Sequence, residues 1–71
     1  MIVKWDCESP GFWFGRIAET PVATISENSD GTFSWRVFAH GNPSNITRWG
    51  RGESLDAVQT KIQDIVSEDD E

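Results

Sequence analysis

Val22-Ala23-Thr24-Ile25-Ser26-Glu27, then Asn28-Ser29-Asp30-Gly31, then Thr32-Phe33-Ser34-Trp35-Arg36-Val37-Phe38: this stretch decides the fold. Two runs rich in β-branched and aromatic residues flank four turn formers. Asp-Gly supplies a pair that tolerates positive φ, so the segment reads as a β-hairpin with a four-residue loop. In the second run Phe33, Trp35 and Val37 alternate with Ser34 and Arg36. A period of two sends the three apolar side chains to the core face of a sheet and Arg36 to the other, with Phe38 beside it.

Working outward toward the N-terminus, Phe12-Trp13-Phe14-Gly15-Arg16-Ile17 is apolar on both faces and too short for a helix. It reads as a strand, bulged at Gly15 and continuing toward Ala18. If Trp13 and Ile17 face the core, Phe12 and Phe14 face outward. Met1–Trp5 reads as a short strand or an ordered arm, Asp6–Gly11 as a loop punctuated by Pro-Gly, and Pro21 as a boundary or an edge. Toward the C-terminus, Gly41–Asn45 is a turn and Ile46–Arg51 a further strand, which Gly50 and Gly52 end or open to a close backbone approach.

The last element is a helix. Ser54 is a good N-cap, Asp56 suits the positive end of the helix dipole, and Leu55, Val58, Ile62, Ile65 and Val66 fall on one stripe. The pattern predicts a helix over about 54–67. The expected fold class is α+β: an antiparallel meander of three to four strands with one C-terminal amphipathic helix packed on one face. Residues 1–67 form the single domain, and Glu68-Asp69-Asp70-Glu71 an acidic tail.

With 71 residues, one core is all the chain can build. A domain near this size buries roughly 60% of its unfolded surface, and the lone Cys7 rules out an internal disulfide. One cysteine and one histidine, His40, fall short of a zinc site. Four tryptophans and four phenylalanines supply the bulk instead. No apolar run is long enough to span a bilayer. The lone cysteine and the absence of a leader-like apolar start predict a cytoplasmic location.

Charge is divided sharply along the chain. Residues 1–52 carry five basic and five acidic groups, whereas residues 53–71 carry seven acids against Lys61, so the net charge of −6 belongs to the last segment. Such an end repels phosphates and suits a basic protein partner.

No catalytic constellation is visible. Cys7 lies between Asp6 and Glu8, which raise rather than lower a thiol pKa. The terminal acids lack the spaced ligands and turn glycine of a calcium loop. No catalytic residue, metal site, cofactor or membrane contact is expected, and direct nucleic-acid binding is disfavoured.

The expected function is that of a small, non-enzymatic, acidic interaction module, of the kind used as phage or mobile-element inhibitors of nucleic-acid-handling proteins. Its partner-binding residues would be Asp64, Glu68, Asp69, Asp70 and Glu71, with outward-facing Phe12 and Phe14 as a second site. If the helix ran through the tail, Asp64, Glu68 and Glu71 would form a ladder with about 6 Å between steps, close to the spacing of phosphates along a strand.

Two alternatives remain open. Trp35 and Trp49, interleaved with Arg16, Arg36, Arg48 and Arg51, could serve a single-stranded nucleic-acid binder. The apolar strand around Phe14 could instead join copies of the chain as a homodimer or larger structural oligomer.

Overall fold

The computed structural model describes residues 2–39 and 42–69. The chain runs β1 (Lys4–Ser9), β2 (Phe12–Ile17), β3 (Thr20–Glu27), β4 (Phe33–Ala39), β5 (Asn42–Gly52) and α1 (Leu55–Asp69). Each strand pairs antiparallel with its neighbours in the chain, giving one five-stranded up-and-down sheet. The α+β class stands, with five strands where three or four are expected.

The extra strand comes from the N-terminal segment. Asp6, Cys7, Glu8 and Ser9 are not loop but most of β1, and Pro10-Gly11 alone is the turn, with Gly11 at φ 79°. Pro at the first and a positive-φ Gly at the second central position suit a tight two-residue reversal. Gly11 also accepts the Glu27 N–H at 2.8 Å. Met1, included in the expected arm, and His40 lie outside the described residues. A second correction concerns β5, which already begins at Asn42, paired with Ala39, across register shifts around Phe38.

The central hairpin forms as its residues demand. Gly31 sits at φ 87°. Its N–H bonds the Asn28 carbonyl at 3.1 Å, and the Asn28 N–H bonds the Thr32 carbonyl at 2.7 Å. Asp30 accepts the Thr32 hydroxyl at 2.6 Å and the Thr32 backbone N–H at 3.0 Å.

These two bonds, aided by the positive charge of Arg51, hold the Asp30 carboxyl below the ordinary aspartate value. A depressed folded pKa means that the loop's stabilisation is complete above the unfolded aspartate pKa of about 3.9. It is lost as pH falls through the folded value. Wild type should therefore lose stability below about pH 4 more steeply than Asp30→Asn, in urea titrations across the acid range. Parallel profiles would show that the loop bonds do not hold the carboxylate.

The β2–β3 reversal is tighter than its sequence suggests. Ile17 pairs with Thr20, leaving Ala18-Glu19 as the whole loop, with Ala18 at φ 55°. The left-handed region costs an L-residue about 1–2 kcal/mol. Ala18→Gly should remove that strain and return about 0.4–1 kcal/mol through the freer unfolded chain. A net gain of several degrees in Tm is expected by thermal denaturation; an unchanged or lower Tm would remove strain from this turn.

Register assigns the faces. Trp5, Gly15, Ala23, Val37 and Arg48 form one cross-strand row, and Cys7, Trp13, Ile25, Trp35 and Gly50 the next, on the same face. The helix lies on this face. Val58, Ile62 and Ile65 are buried against Ala23, Ile25, Trp35 and Val37, with Leu55 and Val66 at the margin. The 3.6-residue stripe and the period-two strand thus meet in one core.

The Ser54 hydroxyl accepts the Ala57 N–H at 3.2 Å, which is the expected cap. The N-terminal arm belongs to this layer too: Val3 is buried, and its N–H donates to Gln63 Oε1 at 2.9 Å. Two glycines let the layers close. A Cβ on Gly50 would stand 2.8 Å from the Trp35 ring, and one on Gly52 would overlap a Val58 methyl group. Here the close backbone approach is realised.

Candidate functional site

Among the described residues no helix covers the opposite face of the sheet. Asp6, Phe14, Thr24, Arg36 and Trp49 stand side by side in one row across all five strands. Phe12, Ser26, Ser34 and Arg51 form the adjoining row on β2 to β5. Alternation sets this on β1 to β4, where each residue is one position removed from a residue packed in the core, and the pairing register carries the rows on to β5.

Phe38 joins them by the same alternation, two residues beyond Arg36 on β4, at the point where the pairing with β5 shifts register. It is buried, at 8% exposure, against Phe14 with ring centroids 6.3 Å apart. Phe12 meets Phe14 edge to face, also at 6.3 Å. The three rings thus form a small second apolar cluster on the helix-free side. Arg16 lies over the Phe14 ring at 4.8 Å and forms ion pairs with Asp6 at 2.9 Å and Glu8 at 3.2 Å. These pairs are largely solvent-exposed and worth little in stability, yet they help keep the guanidinium over the ring.

Beside the rings is a hollow of about 390 Å³, bordered by Phe12, Phe14 and Phe38 and by the polar side chains of Thr24, Ser26 and Arg36. Asn28 and Ser34 close one end and are occupied with each other, through contacts of 2.9 and 3.2 Å, while Asn28 also donates to Thr32. Trp49, next to Arg36 on β5, is 72% exposed.

The residues singled out from sequence fall in different places. Phe12 and Phe14 are outward from the core and half-buried by one another and by Phe38. Among the described residues the arm does not roof them: Val3 and Trp5 pack on the helix side, and Pro21 pairs with Arg16 at the bulge. Asp64 is exposed on α1, three residues from Lys61. Glu68 and Asp69 are in the last turn of α1, which runs two residues past the expected end, and Asp70 and Glu71 lie outside the described residues.

Trp35 does not belong to any open surface. At 8% exposure under the helix it cannot stack on a ligand, which corrects the pairing of Trp35 with Trp49. Arg48 likewise sits in the row of Val37, on the helix side of the edge strand. Phe38 and the hollow were not foreseen as site features; the signal was the placing of Phe38 with Arg36.

Cys7 is exposed, with its thiol donating to the Ser9 carbonyl at 3.2 Å. Among the described residues no three His, Cys, Asp or Glu side chains converge to hold a metal, and no helix is long and apolar enough to cross a membrane. No family model matches the chain, and neither does any curated protein or solved structure.

Proposed function

We propose that this protein is a non-enzymatic binding module whose partner seats on the helix-free face of the sheet. The observation that carries the reading is Trp49, 72% exposed, in one row with Arg36 and the Phe14 ring cluster. A tryptophan left in water gives up much of its favourable burial. Aromatic and arginine side chains grouped on one surface are the composition of binding hot spots. The face is concave at the hollow, where a partner group gains contact on several sides.

The test is partner capture by wild type and by a Phe14→Ser, Trp49→Ser double variant, with nuclease-treated and untreated samples in parallel. Partners lost from the double variant support the face, once its circular dichroism matches wild type. An identical set of partners from both proteins would sink it.

A second reading, favoured by the helix running through Asp69, assigns the contact to the acidic segment and a basic protein partner. Asp64 and Glu68 then stand four residues apart on one helix, about 6 Å along its axis. Neutralising Asp64, Glu68, Asp69, Asp70 and Glu71 together should flatten the salt dependence of partner binding. Unchanged affinity and unchanged salt dependence would remove the acidic segment from the interface.

A further inference from the structure

We propose that the helix-free face binds a short run of single-stranded nucleic acid, with one base in the hollow beside Phe14 and a second stacked on Trp49. This rests on that face being the working surface, and adds the class of ligand.

The hollow, at about 390 Å³, is in the size range of small-ligand sites. Its walls differ in chemistry. Phe12, Phe14 and Phe38 offer apolar ring surface, while Thr24, Ser26 and Arg36 offer hydrogen-bonding groups. Among the described residues the side chains of Thr24, Ser26 and Arg36 make no hydrogen bond or ion pair within the chain. A group that fits both kinds of wall is flat, apolar on its faces and polar at its edge. That describes a nucleobase, and it does not describe an aliphatic side chain.

Charge selects the rest of the ligand. Of the cations on this face, Arg16 is engaged by Asp6 and Glu8, Lys4 stands beside it at the β1 edge, and Arg51 forms no ion pair among the described residues and exerts only a lesser, longer-range pull on Asp30. Arg36 is exposed and stands in the row between Phe14 and Trp49. Phe14 and Trp49 are three interstrand steps apart, about 14 Å. A cation between two aromatic platforms about two nucleotide steps apart matches the backbone of an extended strand that seats one base at each end, the arrangement of sheet-face single-strand binders.

The chain's overall acidity does not forbid this. Helix acids such as Asp56 and Asp64 lie on the layer behind the sheet, roughly 10 Å away by ordinary layer spacing. That exceeds the Debye length of about 8 Å at physiological ionic strength. With Arg36 and Arg51 as the phosphate contacts, the salt dependence should be shallow, a log–log slope of about −1.4 for a single strand.

The experiment is fluorescence anisotropy of labelled eight-nucleotide homopolymers of each base, DNA and RNA, titrated with the full chain at several salt concentrations. Tryptophan emission is followed in the same samples. The expected result is saturable binding of at least one homopolymer, with tryptophan quenching and that shallow slope. Trp49→Ala should weaken it about 5- to 150-fold, the worth of one stacked base, and Trp49→Phe should restore most of the loss. Arg36→Gln should weaken binding and reduce the slope by about 0.7.

Absence of binding to every homopolymer would overturn the nucleic-acid assignment while leaving the face itself to the capture comparison. The same holds if Phe14→Ser abolishes a dimer seen by sedimentation, or a nuclease-resistant protein contact, while no oligonucleotide binds; the occupant is then a second copy or a protein. Binding that is indifferent to Trp49→Ala and Arg36→Gln would place the strand elsewhere and overturn the proposal.

Discussion

Trp35→Ala should cost about 3–5 kcal/mol, the range for removing a buried large aromatic. At about 0.05–0.15 kcal/mol per residue, a chain of this length has roughly 4–10 kcal/mol in all. Urea denaturation should therefore show a variant that is marginal or largely unfolded at 25 °C. The size of the effect follows from where the indole lies. Trp35 is buried beneath α1, among Ile25, Val37 and the helix side chains, and its ring occupies the space that a side chain at Gly50 would fill.

Truncation at Trp35 opens a cavity that neither a glycine opposite nor a close-packed helix can fill. Trp49→Ala is the control. Its ring is 72% exposed, so its midpoint should move by no more than about 0.5 kcal/mol. Two tryptophans in consecutive strands thus have opposite duties. Equal costs for the two variants would overturn the assignment of faces.

The second large effect is expected at Gly52. A Cβ there would overlap a methyl group of Val58, which is 1% exposed and short enough to have no flexible end to swing aside. The helix itself must shift, which costs about 1–3 kcal/mol as overpacking. This exceeds the gain of about 0.4–1 kcal/mol that a Gly→Ala change brings through the unfolded chain. Gly52→Ala should therefore destabilise on balance.

Val58→Ala on its own should also destabilise, by leaving a cavity. Combined, the two changes add one methyl where Val58 gives up two, including the one it would overlap, and the double variant should be more stable than the sum of the singles by 0.5 kcal/mol or more, the coupling expected of residues in contact. Strict additivity in urea titrations would mean that Gly52 does not pack against the helix.

How far the fold can be read from sequence depends on what holds each element. The β3–β4 hairpin and α1 were legible because burial imposes a period on them: two along Phe33, Trp35 and Val37, and 3.6 along Leu55, Val58, Ile62 and Ile65. β1 is held differently. Asp6, Cys7, Glu8 and Ser9 are exposed, and their strand state comes from backbone pairing with β2, reinforced by Arg16. An edge strand with one solvated side leaves little trace in hydropathy. The β2–β3 reversal was hidden because Ala18 occupies a conformation that turn chemistry normally reserves for Gly or Asn.

The site was legible by halves. Alternation turned Phe12 and Phe14 outward, and put Arg36 opposite Trp35. Whether Trp49 shares a face with Trp35 or with Arg36, however, depends on the cross-strand register of β4 and β5. That register is shifted on either side of Phe38. A single extra residue in one strand inverts every assignment beyond it, so no pattern within β5 alone could separate the two tryptophans.

The strictly sequential order of the strands bears on how the chain reaches this structure. Each new strand finds its partner in the one just before it, so pairing closes only short loops. Formation is then expected to proceed by successive hairpin zippering, on the faster side for a sheet protein. The helix is last in the chain and covers Ala23, Ile25, Trp35 and Val37. A nascent chain therefore completes its sheet before it can shield that apolar side. For that interval the most hydrophobic surface of the molecule is bare, and the speed with which Leu55–Asp69 coils and docks sets how long neighbouring chains have to adhere to it.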